Sequence, residues 1–222
     1  MNISIPKLCD FLLDDLKSQP VLNHLEEFIE NKTSTAGVRR EEVFTREFLC
    51  PSIARYYYEV VRSELDLSDD EIKSGLGTEG FQNCPGFGFT PAQSRTQLFT
   101  KSDIIKASPP DSWFKANIKQ LSAFQPCPDF AIADPLPISV IGEVKYFSKG
   151  SPTLAVKELY NAARQAIFYL GAFQDRYEAA LLVVADASPD HSFIRGLELV
   201  RPELLARFGP ESNVYLVPLG LQ

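Results

Sequence analysis

Asp129, Glu143 and Lys145 are the residues of this 222-residue chain whose types and spacing could do chemistry together. They lie in PCPDFAIADPLPISVIGEVKYFS, from Pro126 to Ser148. Asp129 to Asp134 is apolar with a polar residue at each end, and Ile138 to Phe147 is rich in β-branched and aromatic residues. Pro135-Leu136-Pro137 separates the two runs, a pattern that predicts a hairpin. Folding it about Leu136 sets Asp129 opposite Glu143, because antiparallel partners are symmetric about the turn. Lys145, two residues on, points to the same face. Ala131, Ala133 and Ile141 make up the rest of that face and are expected to pack inward. A slip of one residue in the pairing would undo the arrangement.

Two carboxylates directly opposite on neighbouring strands repel unless something cationic sits between them. Lys145 could do part of that, and a divalent metal would do it better. Hard cations such as magnesium take oxygen ligands, often one or two carboxylates with waters and substrate phosphate completing the shell. Such a metal makes a hydroxide nucleophile near neutral pH and stabilises the charge of a phosphodiester transition state. The lysine could position or help activate that water, or neutralise developing charge. The plainer alternative is a surface hairpin carrying an ordinary Glu–Lys pair.

Other residues must position this group. Ile5 to about Asn31 reads as helical, with Pro20 separating two helices. Arg39 to Leu67 is a second helical region, and Pro51 suggests a break or kink after Leu49. Glu47 sits on or beside the apolar stripe of that region, where its carboxylate could reach a metal or simply be solvated. Tyr56-Tyr57-Tyr58 could stack on bases or pack in a core. Ser68 to Arg95 is glycine-rich and reads as a long loop, either a substrate-contacting flap or a disordered stretch. Leu98 to Ile105 fits a strand and Trp113 to Phe124 a short amphipathic helix. After the hairpin, Ser151 and Pro152 suit the cap and first position of a helix reaching about Phe173. Ala179 to Asp186 is a continuous apolar run, as expected of a buried central strand. A helix around Ser192 to Phe208, broken near Pro202, and a last strand from Asn213 to Leu219 complete the chain.

Composition sets limits. The net charge is −7 with 45% hydrophobic residues, so any nucleic-acid groove must be locally basic. The nearest cations in sequence to the acids are Lys149, Lys157 and Arg164, with Lys101 and Arg95 from the glycine-rich loop and the segment after it. The expectation is that Lys149, Arg164, Lys101 and Arg95 form a substrate-binding rim. Cys9, Cys50, Cys84 and Cys127 are scattered and lack metal-ligand spacing. They read as reduced thiols of a cytoplasmic protein. The N-terminus lacks the apolar core of a signal peptide, and no apolar run is long enough to span a membrane. His24 and His191 stand alone.

Past the N-terminal helices, the predicted order is strand, strand, helix, strand, helix, strand, with the acids at one end of the hairpin. This resembles the PD-(D/E)XK nuclease superfamily and its restriction-endonuclease-like fold. Pro128-Asp129 matches the PD element, Glu143-Val144-Lys145 the ExK element, and Gln165 to Tyr169 looks like the QxxxY motif on the helix after ExK. The match covers about Leu98 to Leu219. It implies an α/β fold with a mixed central sheet flanked by helices, and magnesium- or manganese-dependent phosphodiester hydrolysis. In that reading Asp129, Glu143 and the Val144 carbonyl bind metal, Lys145 assists the attacking water, and Gln165 and Tyr169 orient the substrate or the site. The family often carries an acid on its first core helix, for which Glu47 or Glu59 are candidates.

The expected organisation is a helical N-terminal region over 1–75, a glycine-rich loop over 76–97 and the catalytic core over 98–222. The expected substrate is nucleic acid, most readily DNA cut by a restriction, defence or repair endonuclease. A homodimer suits cleavage of both strands of a palindromic site, and a larger complex with a protein partner is equally open. The alternative is a non-catalytic nucleic-acid- or protein-binding module on the same fold. No membrane role is expected.

Overall fold

The computed structural model describes residues 3–19, 21–30, 40–77, 129–132, 136–148, 152–172 and 177–221. The strand predicted at Leu98 and the helix predicted at Trp113 lie outside these residues, as does most of the glycine-rich stretch.

Among the described residues the architecture is mixed α/β: a four-stranded sheet with helices on both faces. The strands are β1 (Phe130–Ile132), β2 (Val140–Phe147), β3 (Ala179–Asp186) and β4 (Val214–Gly220), side by side in that order. β1 and β2 are antiparallel, while β2–β3 and β3–β4 are parallel. Every residue of β3 is buried, as its uninterrupted apolar sequence requires of a strand covered on both faces.

One face is covered by the N-terminal helices. These are α1 (Ile5–Lys17), α2 (Val21–Glu30), α3 (Arg40–Phe44), α4 (Cys50–Arg55), α5 (Arg62–Leu65) and α6 (Asp69–Gly77). Leu8, Leu12, Phe44 and Tyr57 share a hydrophobic cluster with Val140, Val144, Leu181 and Val183 of the sheet. The salt bridge of Asp15 with Arg55, whose Nε lies 3.3 Å from Oδ1, joins α1 to α4.

Pro51 does not end the second helical region. Two π-helical segments, Thr45–Leu49 and Tyr56–Val61, link α3, α4 and α5 into one helical run. The Cys50 N–H bonds the Thr45 carbonyl, five residues back, and Arg62 repeats the pattern with Tyr57. Pro51 has no N–H for the Glu47 carbonyl, and widening the turn before it lets the helix pass the proline without a break. The second widening places the adjacent Tyr56 and Tyr57 both in the core, rings edge to face at 5.5 Å. Of the readings open for the tyrosine triplet, these two take the packing role.

Asp69 to Gly77 is helical where the sequence reading predicts loop from Ser68. Its start is a capping box: the Ser68 N–H donates to Glu71 Oε2 at 2.8 Å, and the Glu71 N–H donates to Ser68 Oγ at 3.2 Å.

The other face is covered by α7 (Pro152–Ala172), with α8 (Ser192–Leu197) and the short α9 (Pro202–Leu205) beyond it. Leu159, Ala162 and Ala166 of α7 pack on Ile141, Ala180, Leu182 and Val184. At the end of β3 the fully buried Asp186 holds the start of α8. Its carboxylate accepts N–H bonds from Ser188 (3.1 Å), Phe193 (2.8 Å) and Ile194 (3.1 Å), which satisfies an otherwise costly buried charge.

Candidate active site

The hairpin pairs Phe130 with Gly142, Ala131 with Ile141 and Ile132 with Val140. This is the register that the fold about Leu136 predicts. Gly142 is required by its partner, because a Cβ there would lie 2.1 Å from the Phe130 ring. The ring lies across the bare backbone and fixes β1 against β2. Ala131 and Ile141 are fully buried on the α7 face, and strand alternation puts Glu143 and Lys145 on that face too.

Asp129 lies one residue before β1. Its N–H donates to the Gly142 carbonyl at 2.9 Å, and its Oδ2 accepts the Val144 N–H at 2.8 Å. In a strand the N–H and C=O of one residue point to the same edge, so the Val144 carbonyl also points to the Asp129 side. Glu143 is 3% exposed. Its Oε1 pairs with the Lys145 ammonium, and the Tyr169 hydroxyl donates to its carboxylate from α7.

The electrostatics follow from this crowding. Burial, and then the nearby Asp129 carboxylate, push the Glu143 pKa up to about 7, against the opposing pull of Lys145 and Tyr169. Burial works against charge on Lys145. The Glu143 carboxylate beside it, with Glu41 and Asp129, outweighs that and holds the ammonium above its ordinary value. The site therefore holds the lysine in its charged form and pushes the neighbouring carboxylate toward its protonated form.

Glu41 is the residue that the sequence reading missed. It lies on α3, which packs on β2 with Phe44 against Tyr146 at 6.3 Å, and its charge acts on Lys145. Glu47, half-buried, lies six residues on in the first π-helical segment, and Glu59 is exposed in the second. The run Arg40-Glu41-Glu42 offers no motif to single out Glu41. Only the packing of α3 on β2 distinguishes it.

Gln165 is half-buried one turn before Tyr169 on the same flank of α7. Arg164 is exposed, on the side of α7 opposite the buried Leu159, Ala162, Ala166 and Tyr169. It is therefore not brought to the acids. Lys149, Lys101 and Arg95 lie outside the described residues.

Asp129, Glu143 and the Val144 carbonyl are hard oxygen donors. Together with a Glu143 pKa raised by burial and then by the adjacent Asp129 carboxylate, they fit a small divalent cation that keeps several waters. Among the described residues, no three His, Cys, Asp or Glu side chains converge as a ready-made metal cage. Cys9 and Cys50 are buried, and burial pushes the Cys9 thiol up to about 12, so it is not a ligand or nucleophile.

No protein-family model, curated protein or solved structure matches this chain. Among the described residues, no helix is long and apolar enough to cross a membrane.

Proposed function

We propose that this chain is a metal-dependent phosphodiesterase of the PD-(D/E)XK type, an endonuclease acting on DNA, on a restriction-endonuclease-like core and working in the cytoplasm. The observation that carries the reading is the gathering of Asp129, Glu143 and Lys145 at one end of the β1–β2 hairpin, with Tyr169 bonded to Glu143. The strand order and the α7 crossover between the parallel strands β2 and β3 are compatible with such a core.

Asp129 and Glu143, with the Val144 carbonyl, would hold magnesium or manganese, which supplies a nucleophilic hydroxide and a counter-charge for the phosphoryl oxygens. The chain's own groups do the rest. Asp129 is oriented by the Val144 N–H, which holds its carboxylate beside the Val144 carbonyl. Tyr169 and Lys145 both stabilise the charged form of Glu143, the form a metal needs. Lys145 stays protonated and so serves as an electrostatic partner for the scissile phosphate and the water beside it, rather than as a resting-state base. Glu41 helps to hold that charge.

The test is cleavage of supercoiled plasmid, linear duplex and single-stranded DNA with magnesium or manganese. Lys145→Ala serves as the control, and a gel-shift assay runs in parallel. Lys145→Ala is expected to lose most turnover, by about a hundredfold or more, while keeping binding. Binding by the wild-type chain without cleavage of any substrate favours the non-catalytic module. Cleavage at the wild-type rate by the variant excludes the mechanism.

A further inference from the structure

Helix α7 carries a second feature on a face that Glu143 does not use. Val156, Tyr160, Ala163 and Ile167 recur at spacings of four, three and four, which aligns them in one stripe turned away from Tyr169. The stripe forms one wall of a groove of about 380 Å³, and Val200 and Phe208 help to form the other. Tyr160 is 69% and Ile167 59% exposed, although both are large and apolar. Among the described residues that line the groove, Arg207 is the only charged one.

Three cations stand about the groove. Lys157 and Arg164 are exposed seven residues apart on the flank of α7 next to Tyr160, and Arg207 stands across from them. None of the three forms a salt bridge among the described residues. Glu158 lies on the side of α7 away from the stripe, and the exposed Glu211 lies beside Ser212; near Val200 in sequence, the exposed Arg201 stands with the exposed Glu198 and Glu203.

We propose that this groove docks an amphipathic helix of a protein partner, with an apolar ridge entering between α7 and Phe208 and carboxylates on its flanks meeting Lys157, Arg164 and Arg207. Helix-in-groove recognition needs an apolar trough that accepts residues at i, i+3 and i+7, with charge at the rim for orientation. A second copy of α7 fits poorly. Antiparallel packing of Tyr160 on Ala163 and Val156 on Ile167 would bring Lys157 of each copy alongside Arg164 of the other. Nucleic acid fits poorly as well, since the lining is apolar and offers phosphates almost no donors.

The probe is a synthetic helix-forming peptide of about 15 residues, long enough to hold a helix, with leucines at i, i+3 and i+7 and glutamates on both flanks. Fluorescence anisotropy with the full chain is compared for this peptide and for one with lysine flanks. The glutamate peptide is expected to bind at least about tenfold more tightly. Ile167→Glu and Tyr160→Glu, at exposed positions that leave folding intact, each weaken it about tenfold or more. Lys157→Glu with Arg164→Glu reverses the preference between the peptides. Equal affinity for both peptides, or indifference to Ile167→Glu, overturns the proposal. So does a dimer in sedimentation that Ile167→Glu dissolves, or displacement of the peptide by a DNA oligonucleotide.

Discussion

The Tyr169 hydroxyl donates to the Glu143 carboxylate, tying α7 to the middle of β2. The bond favours the charged carboxylate, so Tyr169→Phe moves the Glu143 pKa further above about 7. Stability in urea falls by about 1 kcal/mol, the ordinary net value of one such bond. The rising limb of the cleavage–pH profile moves to higher pH. A limb that stays in place removes Tyr169 from the site.

Glu143 also links stability to pH. Its pKa in the fold, about 7, lies above the ordinary value of 4.5. The folded chain therefore binds this proton more tightly than the unfolded chain does. The stabilisation is full below about pH 4.5 and is lost as pH rises through about 7, an effect on the order of 3 kcal/mol. Melting curves of metal-free protein across that window are expected to slope downward for wild type relative to Glu143→Gln. Parallel curves for the two proteins refute the assignment. Added manganese opposes the trend, because it binds the carboxylate form.

Asp129→Asn separates charge from structure. The amide oxygen can still accept the Val144 N–H, so the metal-free protein is expected to melt within a few degrees of wild type. Manganese binding, measured by calorimetry, weakens at least about tenfold, because half of the anionic charge is gone. Equal binding by the two proteins eliminates Asp129 as a ligand.

Gly142→Ala tests the hairpin. The new methyl group meets the buried Phe130 ring, and overpacking of this kind costs about 1–3 kcal/mol. Combining it with Phe130→Leu, which opens space at that contact, should recover part of the loss. Additive destabilisation in the double mutant would mean that the two residues do not share the contact.

The hairpin was legible because its information is local. A proline-flanked turn and two runs of β-forming residues define register, and register alone brings Asp129 toward Glu143 and Lys145. β3 was legible for a related reason: a strand covered on both faces must be apolar throughout. Glu41 was not legible, since its relation to Lys145 depends on how α3 lies against β2, a contact between residues far apart in sequence. Arg164 shows the limit of proximity along the chain. One residue separates it from the buried Ala166, and helical rotation carries it to the solvent. The helix from Asp69 was legible in principle, because Ser68 and Glu71 have capping-box spacing, but the glycines that follow outweighed that signal.

The π-helical segments bear on how this chain tolerates insertion and deletion. Each widened turn takes up one residue more than an α-helical turn would over the same length. Deleting a single residue between Thr45 and Leu49 would let the backbone return to α-helical spacing and keep its hydrogen bonds. The same deletion would turn everything on its N-terminal side by about one residue's rotation, roughly 100°, relative to Tyr56 and Tyr57. Phe44 would leave Tyr146, and Glu41 would swing away from Lys145. The helix would survive the loss and the packing of Phe44 on Tyr146 would not, so the length of this segment is tied to how α3 sits on β2.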